Sequence, residues 1–258
     1  MAAALLKRHR IYDTMTANGN FRQEISYSIL KAPVHQAECC MINKKKYIIE
    51  FFVCCSLVGA IFIGIRCFNL DLRLSEKLYL ETDVNKTLLG LIAFIGKYLS
   101  VLIACLLLTA LPWLYKKKHP FRKEALLAVL LLGTGPGLIN NFVLKPFFNR
   151  PRPNEIKHFN QNSSTSFIPV LQRNPHGKFR SFPSGHTGAA FFLMFPWFFL
   201  RLRQKYGLKL LLPGFIFGCV IGTTRIIQGK HFLSDTIASF TLVYVCGLML
   251  AMFFYRKE

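Results

Sequence analysis

The sequence lacks the cysteine spacing of a structural zinc site, since none of its eight Cys residues belongs to a C-x-x-C pair. Cys39 and Cys40 lie in a basic N-terminal segment, and the other six lie in or at the ends of apolar stretches. We therefore expect reduced, packing cysteines and no disulfide framework. The sequence also lacks the apolar segment, roughly 7–15 residues long, that follows the basic start of a secretory signal. The N-terminal segment is therefore expected to remain attached.

Acidic residues are scarce, with 12 Asp and Glu against 33 Lys and Arg and a formal net charge of +21. Such a charge indicates nucleic-acid binding when the basic residues line one soluble surface. Here they form blocks between apolar runs, and 52% of all residues are hydrophobic. The composition therefore excludes nucleic acid as the expected partner and predicts an integral membrane protein in a lipid bilayer.

The apolar runs predict an all-α bundle of six transmembrane helices, because about 20 apolar residues cross a hydrocarbon core. Residues 1–46 form a basic tail, and residues 47–258 form the six-span domain. Pro136 is expected to kink the third span, whose small residues allow close helix contact. The fourth and fifth spans are short and require that the polar residues beside them continue the helices. The predicted spans are Tyr47–Phe68, Tyr98–Tyr115, Ala125–Leu144, Thr187–Leu200, Leu210–Thr224 and Leu233–Tyr255.

Basic blocks predict the orientation of the bundle. Lys44–Lys46, Lys116–Lys118, residues 201–209 and Arg256-Lys257 lie at alternate ends of the spans, so these segments and both termini are expected to be cytoplasmic. Residues 145–186 lie on the opposite side, yet they carry seven Lys and Arg against one acid. Cations placed against the topological preference indicate an anionic ligand.

Three polar blocks stand at the outer ends of spans three to six: residues 145–153, 182–186 and 224–235. Packing of the spans would bring these blocks to one membrane face. We interpret them together as a phosphate cage with two imidazoles. Its residues are Lys145, Arg152, Ser184, Gly185, His186, Arg225, His231 and Asp235.

Lys145, Arg152 and Arg225 suit the oxygens of a phosphoryl group, because they supply fixed charge and several N–H donors. The alternative for Arg150 and Arg152 is an interfacial patch that meets lipid headgroups.

Ser184 is predicted to begin a helix whose free N–H groups, including that of Gly185, bind an anion. A helix start without further function is an equal alternative for Ser184. His186 would lie one or two residues into this helix, where it can protonate a leaving alkoxide.

His231 and Asp235 are four residues apart, so on a helix they would share a face and the carboxylate could orient the imidazole. The other ring nitrogen would then be able to attack phosphorus. The alternative is a pair that only satisfies its own hydrogen bonds.

These blocks resemble the K-x6-R-P, P-S-G-H and S-R-x5-H-x3-D signature of the type 2 phosphatidic acid phosphatase superfamily. The resemblance covers the chain from Tyr47 to the C-terminus, with Thr224 in place of the usual Ser. It implies metal-independent hydrolysis without a cofactor. His231 would form a phosphohistidine with Asp235 orienting it, and His186 would serve as acid and then base. The remaining cage residues would stabilise the transition state.

The resemblance also implies a membrane lipid phosphate as substrate. Family substrates include lipid A, undecaprenyl pyrophosphate, phosphatidylglycerophosphate and phosphatidic acid, and the N-R-P-R-P sequence at 149–153 is most similar to the bacterial branches for the first two. A bacterial inner membrane, with the active site facing the periplasm, is the expected location. Two alternatives stay open: phosphotransfer to another lipid through the same site, and a non-catalytic transporter of anionic lipids.

Overall fold

The computed structural model describes residues 44–79, 83–200 and 207–254. The regular structure of these ranges is helical, without a strand. The predicted tail, residues 1–46, lies outside them except where the first helix begins at Lys44. Short 3-10 helices cover Pro153–Glu155, Phe192–Met194 and Gly207–Leu210. The other helices are α1 (Lys44–Cys67), α2 (Leu70–Leu78), α3 (Asp83–Lys116), α4 (Arg122–Leu132), a π-helix (Gly133–Leu144), α5 (Lys145–Phe148), α6 (Gly185–Phe191), α7 (Phe195–Leu200), α8 (Leu212–Ile227) and α9 (Leu233–Phe254).

Within the described ranges, five helical segments are long and apolar enough to cross a membrane, with mean hydropathies of 1.7 to 2.5. A sixth apolar segment, Gly185–Leu200, is shorter and is about 24 Å long at the usual helical rise. The sequence predicts that the fourth and fifth spans extend into the polar residues beside them. The segment Gly185–Leu200 does begin inside its polar block, and α8 continues past Arg225 to Ile227. The five long segments are Tyr47–Cys67, Thr87–Lys116, Arg122–Glu155, Leu208–Ile227 and Leu233–Phe254.

Phenylalanine side chains of the short segment form the centre of the bundle. Phe191 and Phe198 are fully buried and belong to the main apolar cluster with residues of α4 and α9. Gly218 of α8 lies so close to Phe191 that an added Cβ would stand 2.1 Å from the ring. A Cβ added to Gly247 of α9 would likewise stand 2.6 Å from the Phe198 ring. Neighbouring helices therefore enclose Gly185–Leu200 through close glycine contacts.

Large apolar side chains cover the outside of the bundle. Phe52 and Ile63 of α1, Phe142 of the π-helix and Phe253 of α9 are each more than 60% exposed. Contiguous exposure on this scale is typical of a surface in contact with lipid.

The predicted disturbance around Pro136 takes the form of the π-helix. Proline has no N–H to donate along the helix, and the wider turn leaves backbone carbonyls without their usual donors. Asn141 Nδ2 donates to the carbonyls of Pro136 and Gly137 at 3.1 and 3.0 Å. Gly135 packs against Cys246 of α9, which confirms the expected close helix contact. The π-helix is therefore stabilised by a side chain that lies just before Lys145.

Candidate active site

The three polar blocks meet at one end of the bundle. Ser184 N–H, before α6, donates to the carbonyl of Asp235 in α9 at 3.2 Å. A Cβ added to Gly185 would lie 3.3 Å from Lys145 Nζ. His186 interacts electrostatically with Arg225 at the end of α8 and with His231 before α9. The structure thus brings together residues from all three blocks.

His231 and Asp235 form a buried pair, with 3.4 Å between His231 Nδ1 and Asp235 Oδ2. The predicted contact is present, but its helical explanation is wrong, because α9 begins only at Leu233. His231 lies before the helix, and Asp235 in the first turn accepts the backbone N–H of Phe232 at 2.9 Å. A carboxylate in the first turn of a helix also interacts favourably with the helix dipole. The arrangement points Nδ1 at the carboxylate and leaves Nε2 on the other side of the ring.

Burial lowers the pKa of His231. The hydrogen bond and charge of Asp235 raise the pKa of this imidazole, whereas the cations Arg225 and Lys145 lower it further. The net direction is downward, so the ring keeps its neutral, nucleophilic form below the ordinary titration range of histidine.

Ser181 is a site residue that the sequence did not indicate. Its Oγ donates to Asp235 Oδ2 at 2.5 Å and lies 3.4 Å from His231 Nδ1. The side chain is fully buried. It therefore helps to fix the carboxylate oxygen that faces the imidazole.

Arg150 holds the second oxygen of the same carboxylate. Its Nη1 lies 2.7 Å from both Asp235 Oδ1 and Ser234 Oγ, and its Nη2 lies 2.8 Å from Asp71 Oδ2. The side chain is 1% exposed, and its guanidinium lies over the Phe232 ring, 4.4 Å from the centroid. The interpretation of Arg150 as part of a headgroup patch is therefore wrong. Its charge is needed inside the protein, between two buried carboxylates.

Asp71 is the other carboxylate and lies on α2, in the segment between the first two spans. Its Oδ1 accepts the backbone N–H of Ser234 at 2.9 Å, and its Oδ2 accepts the Ser234 hydroxyl at 2.6 Å. Asp71 is thus fixed to the first turn of α9 and to Arg150. No motif marks Asp71, because its partners lie far away along the chain.

Lys145 is oriented by Asn141. The Lys145 ammonium donates to Asn141 Oδ1 at 2.9 Å, and Arg180 donates to the Asn141 backbone carbonyl at 2.8 Å. The electrostatic neighbours of Lys145 include Arg152 and Arg180. Asn141 therefore links the π-helix to the cationic cluster.

Arg152 and Arg225 have guanidinium donors to spare. Arg152 contacts Glu155 at 3.7 Å, and Arg225 Nη1 donates to Gln228 Oε1 at 2.7 Å. The Nε atoms of both arginines are buried without a hydrogen-bond partner in the described structure. Buried unpaired donors are costly, and a bound anion would satisfy them.

Ser184 confirms the predicted helix start. It is the N-terminal cap of α6, and its Oγ accepts the Thr187 N–H at 3.4 Å and lies 2.7 Å from the Thr187 hydroxyl. His186 is the second residue of this helix, as predicted. The Ser184 hydroxyl is engaged in capping and its N–H is donated to Asp235, so the backbone N–H of Gly185 is the group best placed for a ligand.

No group of three or more His, Cys, Asp or Glu side chains could hold a metal ion in residues 44–79, 83–200 and 207–254. The six cysteines of those ranges, Cys54, Cys55, Cys67, Cys105, Cys219 and Cys246, are free thiols.

Fold and site together define a helical membrane protein with a buried His–Asp pair inside a cationic cluster. Residues 124–258 match the profile of the PAP2 superfamily, and this chain belongs to that superfamily. The matched region includes all three polar blocks, whereas Asp71 lies before it.

Two relatives and one solved structure illustrate the similarity. A lipid A 4'-phosphatase of Francisella tularensis subsp. novicida is 27% identical over 200 residues, which cover 74% of this chain and 88% of that protein. Undecaprenyl-diphosphatase BcrC of Bacillus subtilis is 29% identical over 170 residues, which cover 66% of this chain and 76% of that protein. The crystal structure of a transmembrane PAP2 type phosphatidylglycerolphosphate phosphatase from Bacillus subtilis is 20% identical, with a TM-score of 0.48, and covers 83% of this chain and 96% of that one.

Proposed function

We propose that this protein is an integral membrane phosphatase that hydrolyses a phosphate monoester or pyrophosphate of a membrane lipid. The observation that carries the proposal is the buried His231, oriented by Asp235 beside Lys145, Arg152 and Arg225. An oriented neutral imidazole is a nucleophile, and the cations supply the binding energy for the phosphoryl group.

In the first step His231 Nε2 attacks phosphorus, and the bond to the lipid oxygen breaks. Asp235 holds Nδ1–H and stabilises the positive charge that the ring acquires as the phosphohistidine forms. His186 gives its proton to the departing alkoxide. In the second step His186 takes a proton from water, the water oxygen attacks phosphorus, and inorganic phosphate leaves His231.

The cationic residues hold the transferring group through both steps. Lys145, Arg152 and Arg225 neutralise the charge on its equatorial oxygens, and the backbone N–H of Gly185 adds a further donor. The unpaired Nε atoms of both arginines support this role. The negative charge of the bound phosphate also favours the protonated form of His186.

The proposed site faces the non-cytoplasmic side of a bacterial inner membrane. Helix α3 ends at Lys116 and α4 begins at Arg122, whereas Lys145 follows the far end of the π-helix. Lys116–Lys118 and the active site therefore lie at opposite ends of this hairpin, and the positive-inside rule assigns the lysines to the cytoplasm. In this arrangement Gly185–Leu200 is the sixth crossing and both termini are cytoplasmic.

Lipid A and undecaprenyl pyrophosphate are the substrates to test first. The names of the two relatives support them, since one is a lipid A 4'-phosphatase and the other an undecaprenyl-diphosphatase. Phosphatidylglycerophosphate and phosphatidic acid complete the panel.

The test is phosphate release by the purified protein in detergent with excess chelator, for the native chain, His231→Ala and His119→Ala. His119 lies in the turn between α3 and α4, so its variant is the matched control for loss of a histidine. We expect release that is lost in His231→Ala and retained in His119→Ala. An unchanged rate in a folded His231→Ala protein would overturn the proposed mechanism, and loss of rate with chelator would overturn metal independence.

A further inference from the structure

A cavity of about 290 Å³ lies between α3, the π-helix and α6, beside the proposed catalytic acid. Its size is near the lower end for small-molecule pockets. The cavity includes Lys145, Gly185 and His186, and it is therefore continuous with the phosphate-binding cluster. It also includes Lys97 of α3, which belongs to none of the three polar blocks.

Each wall of the cavity changes from basic to apolar along its helix. On α3, Lys97 lies one turn before Val101, and on α6, His186 likewise precedes Ala189. On the continuous segment of α4 and the π-helix, Leu132 lies at the junction of the two and Lys145 lies just after the π-helix. The basic residue of each pair lies at the active-site end. An anionic headgroup joined to an apolar chain has the same polarity profile, so the cavity fits a lipid that enters with its phosphate end at the cluster.

The packing of α3 directs Lys97 to this cavity. Gly96 lies so close to α8 that an added Cβ would stand 2.4 Å from Ile221 Cδ1. Ser100, one turn further, is fully buried. Lys97 and Val101 are also one turn apart and share the adjacent face, which lines the cavity. The ammonium lies 4.9 Å from the centroid of the Tyr98 ring and interacts electrostatically with Lys145 and His186.

Lys97, Lys145 and His186 bring basic groups to the cavity, and its lining includes no Asp or Glu. Clustered cations inside a membrane protein are costly unless an anion compensates them. Lys145 belongs to the cluster that holds the transferred phosphoryl group. Lys97 acts more strongly on His186, the residue that protonates the leaving group, than Lys145 does. Lys97 is therefore suited to charge on that group.

We infer that Lys97 binds a second anionic group on the leaving side of the scissile bond, so that the preferred substrate is a lipid diphosphate. This inference rests on the proposed function. His231 Nε2 attacks the terminal phosphorus, the bond from that phosphorus to the bridging oxygen breaks, and its electron pair stays on the bridging oxygen. The leaving group is a lipid monophosphate, whose negative charge Lys97 stabilises. Water then releases inorganic phosphate from His231, so one water is consumed for each diphosphate cleaved.

The test compares farnesyl diphosphate with farnesyl monophosphate in the same detergent, because the two differ only in the second phosphate. Native protein, Lys97→Met and Lys97→Arg are assayed for kcat/KM. The control variant is Lys116→Met at the other end of α3, where Lys117 and Lys118 maintain the basic block. A charge-assisted hydrogen bond predicts that Lys97→Met loses about 10- to 100-fold on the diphosphate and less than about threefold on the monophosphate. Lys97→Arg should restore most of the diphosphate rate.

Equal losses on both substrates would overturn the inference, because Lys97 would then act on the transferred phosphoryl group. No loss on either would also overturn it and would assign Lys97 to the membrane interface alone. Thermal melting of each variant separates these results from misfolding, and Lys97→Arg keeps the comparison valid if Lys97→Met unfolds. Failure of the proposed function is distinguishable, since the native protein would then hydrolyse neither substrate, or folded His231→Ala would hydrolyse both.

Discussion

Arg150 Nη1 lies 2.7 Å from Asp235 Oδ1, so the carboxylate that orients His231 is itself held by a buried guanidinium. The other arm of the same guanidinium binds Asp71 at 2.8 Å. A planar fork can hold two carboxylates in fixed directions, which an ammonium group cannot do. The loop after α5, the helix α2 and the first turn of α9 are thereby joined behind the proposed nucleophile.

Replacement of Arg150 should destabilise the protein strongly. Arg150→Met leaves Asp71 and Asp235 buried without their common cation, and breaking such a pair costs about 3–5 kcal/mol. The matched control is Arg173→Met, since Arg173 is exposed and its guanidinium lies 4.8 Å from the Phe147 ring centroid. The control should cost at most about 1 kcal/mol. Thermal melting in detergent measures both, and equal melting temperatures would contradict the proposed importance of the buried pair.

Asp71 should affect the rate without binding substrate. In Asp71→Asn the charge that balances Arg150 is lost, so we expect Arg150 to pull on Asp235 and misalign His231. The expected result is a fall in kcat with little change in KM, because the phosphate-binding cations are untouched. Glu76→Gln on the same helix is the control, since Glu76 is exposed and pairs only with His158 at 2.7 Å among the described contacts. A rise in KM alone would show that Asp71 contributes to substrate binding.

The sequence predicted much of the site because its residues occur in short blocks beside apolar runs. Lys145, His186 and Asp235 could be assigned to one membrane face from topology alone. Asp71 and Ser181 could not, because their contacts join distant parts of the chain and neither has a motif of its own. His231 shows a different limit, since a spacing of four residues suggested a helix, whereas the contact forms across the turn that precedes α9.

The acid limb of the pH profile should lie below the ordinary histidine range. Neutral His231 is the nucleophile, and burial lowers its pKa, so the active form persists below about pH 6.5, where a free imidazole would protonate. Arg225 lowers this pKa and Asp235 raises it. Arg225→Gln should therefore move the acid limb of kcat/KM to higher pH, and Asp235→Asn should move it to lower pH. Both variants are also expected to be slower, so the quantity to compare is the pH at the midpoint of the acid limb.

The native protein, Arg225→Gln and Asp235→Asn are assayed with the same substrate, so ionisation of the substrate is common to all three pH profiles. Differences between the profiles then report the enzyme. Movement of the limb in the same direction in both variants would contradict the assignment of that limb to His231.

Gly214 should be intolerant of a methyl group. A Cβ there would lie 2.4 Å from the backbone of Leu193 and Met194, and main-chain atoms cannot rotate away. Gly214→Ala is expected to destabilise the protein by about 1–3 kcal/mol through overpacking. Gly59→Ala in α1 is the control, because nothing lies within 4 Å of its added Cβ, and alanine should be neutral or stabilising by up to about 1 kcal/mol. Similar melting temperatures for the two variants would contradict the close contact between α8 and the Phe192–Met194 turn.

The requirement for His186 should depend on the leaving group. A lipid alkoxide is strongly basic and needs a proton as it departs, so His186→Ala should lose about 10²- to 10⁴-fold with a lipid monoester. The anion of p-nitrophenol departs without a proton, so phosphorylation of the enzyme by p-nitrophenyl phosphate should be much less affected. The burst of p-nitrophenol in rapid-mixing experiments measures this first step alone, because hydrolysis of the phosphohistidine still requires His186 as base. His231→Ala must lose the p-nitrophenol burst, since it lacks the attacking nitrogen. A folded His186→Ala protein that loses the p-nitrophenol burst as completely as His231→Ala would show that His186 holds the phosphoryl group and does not protonate the leaving oxygen.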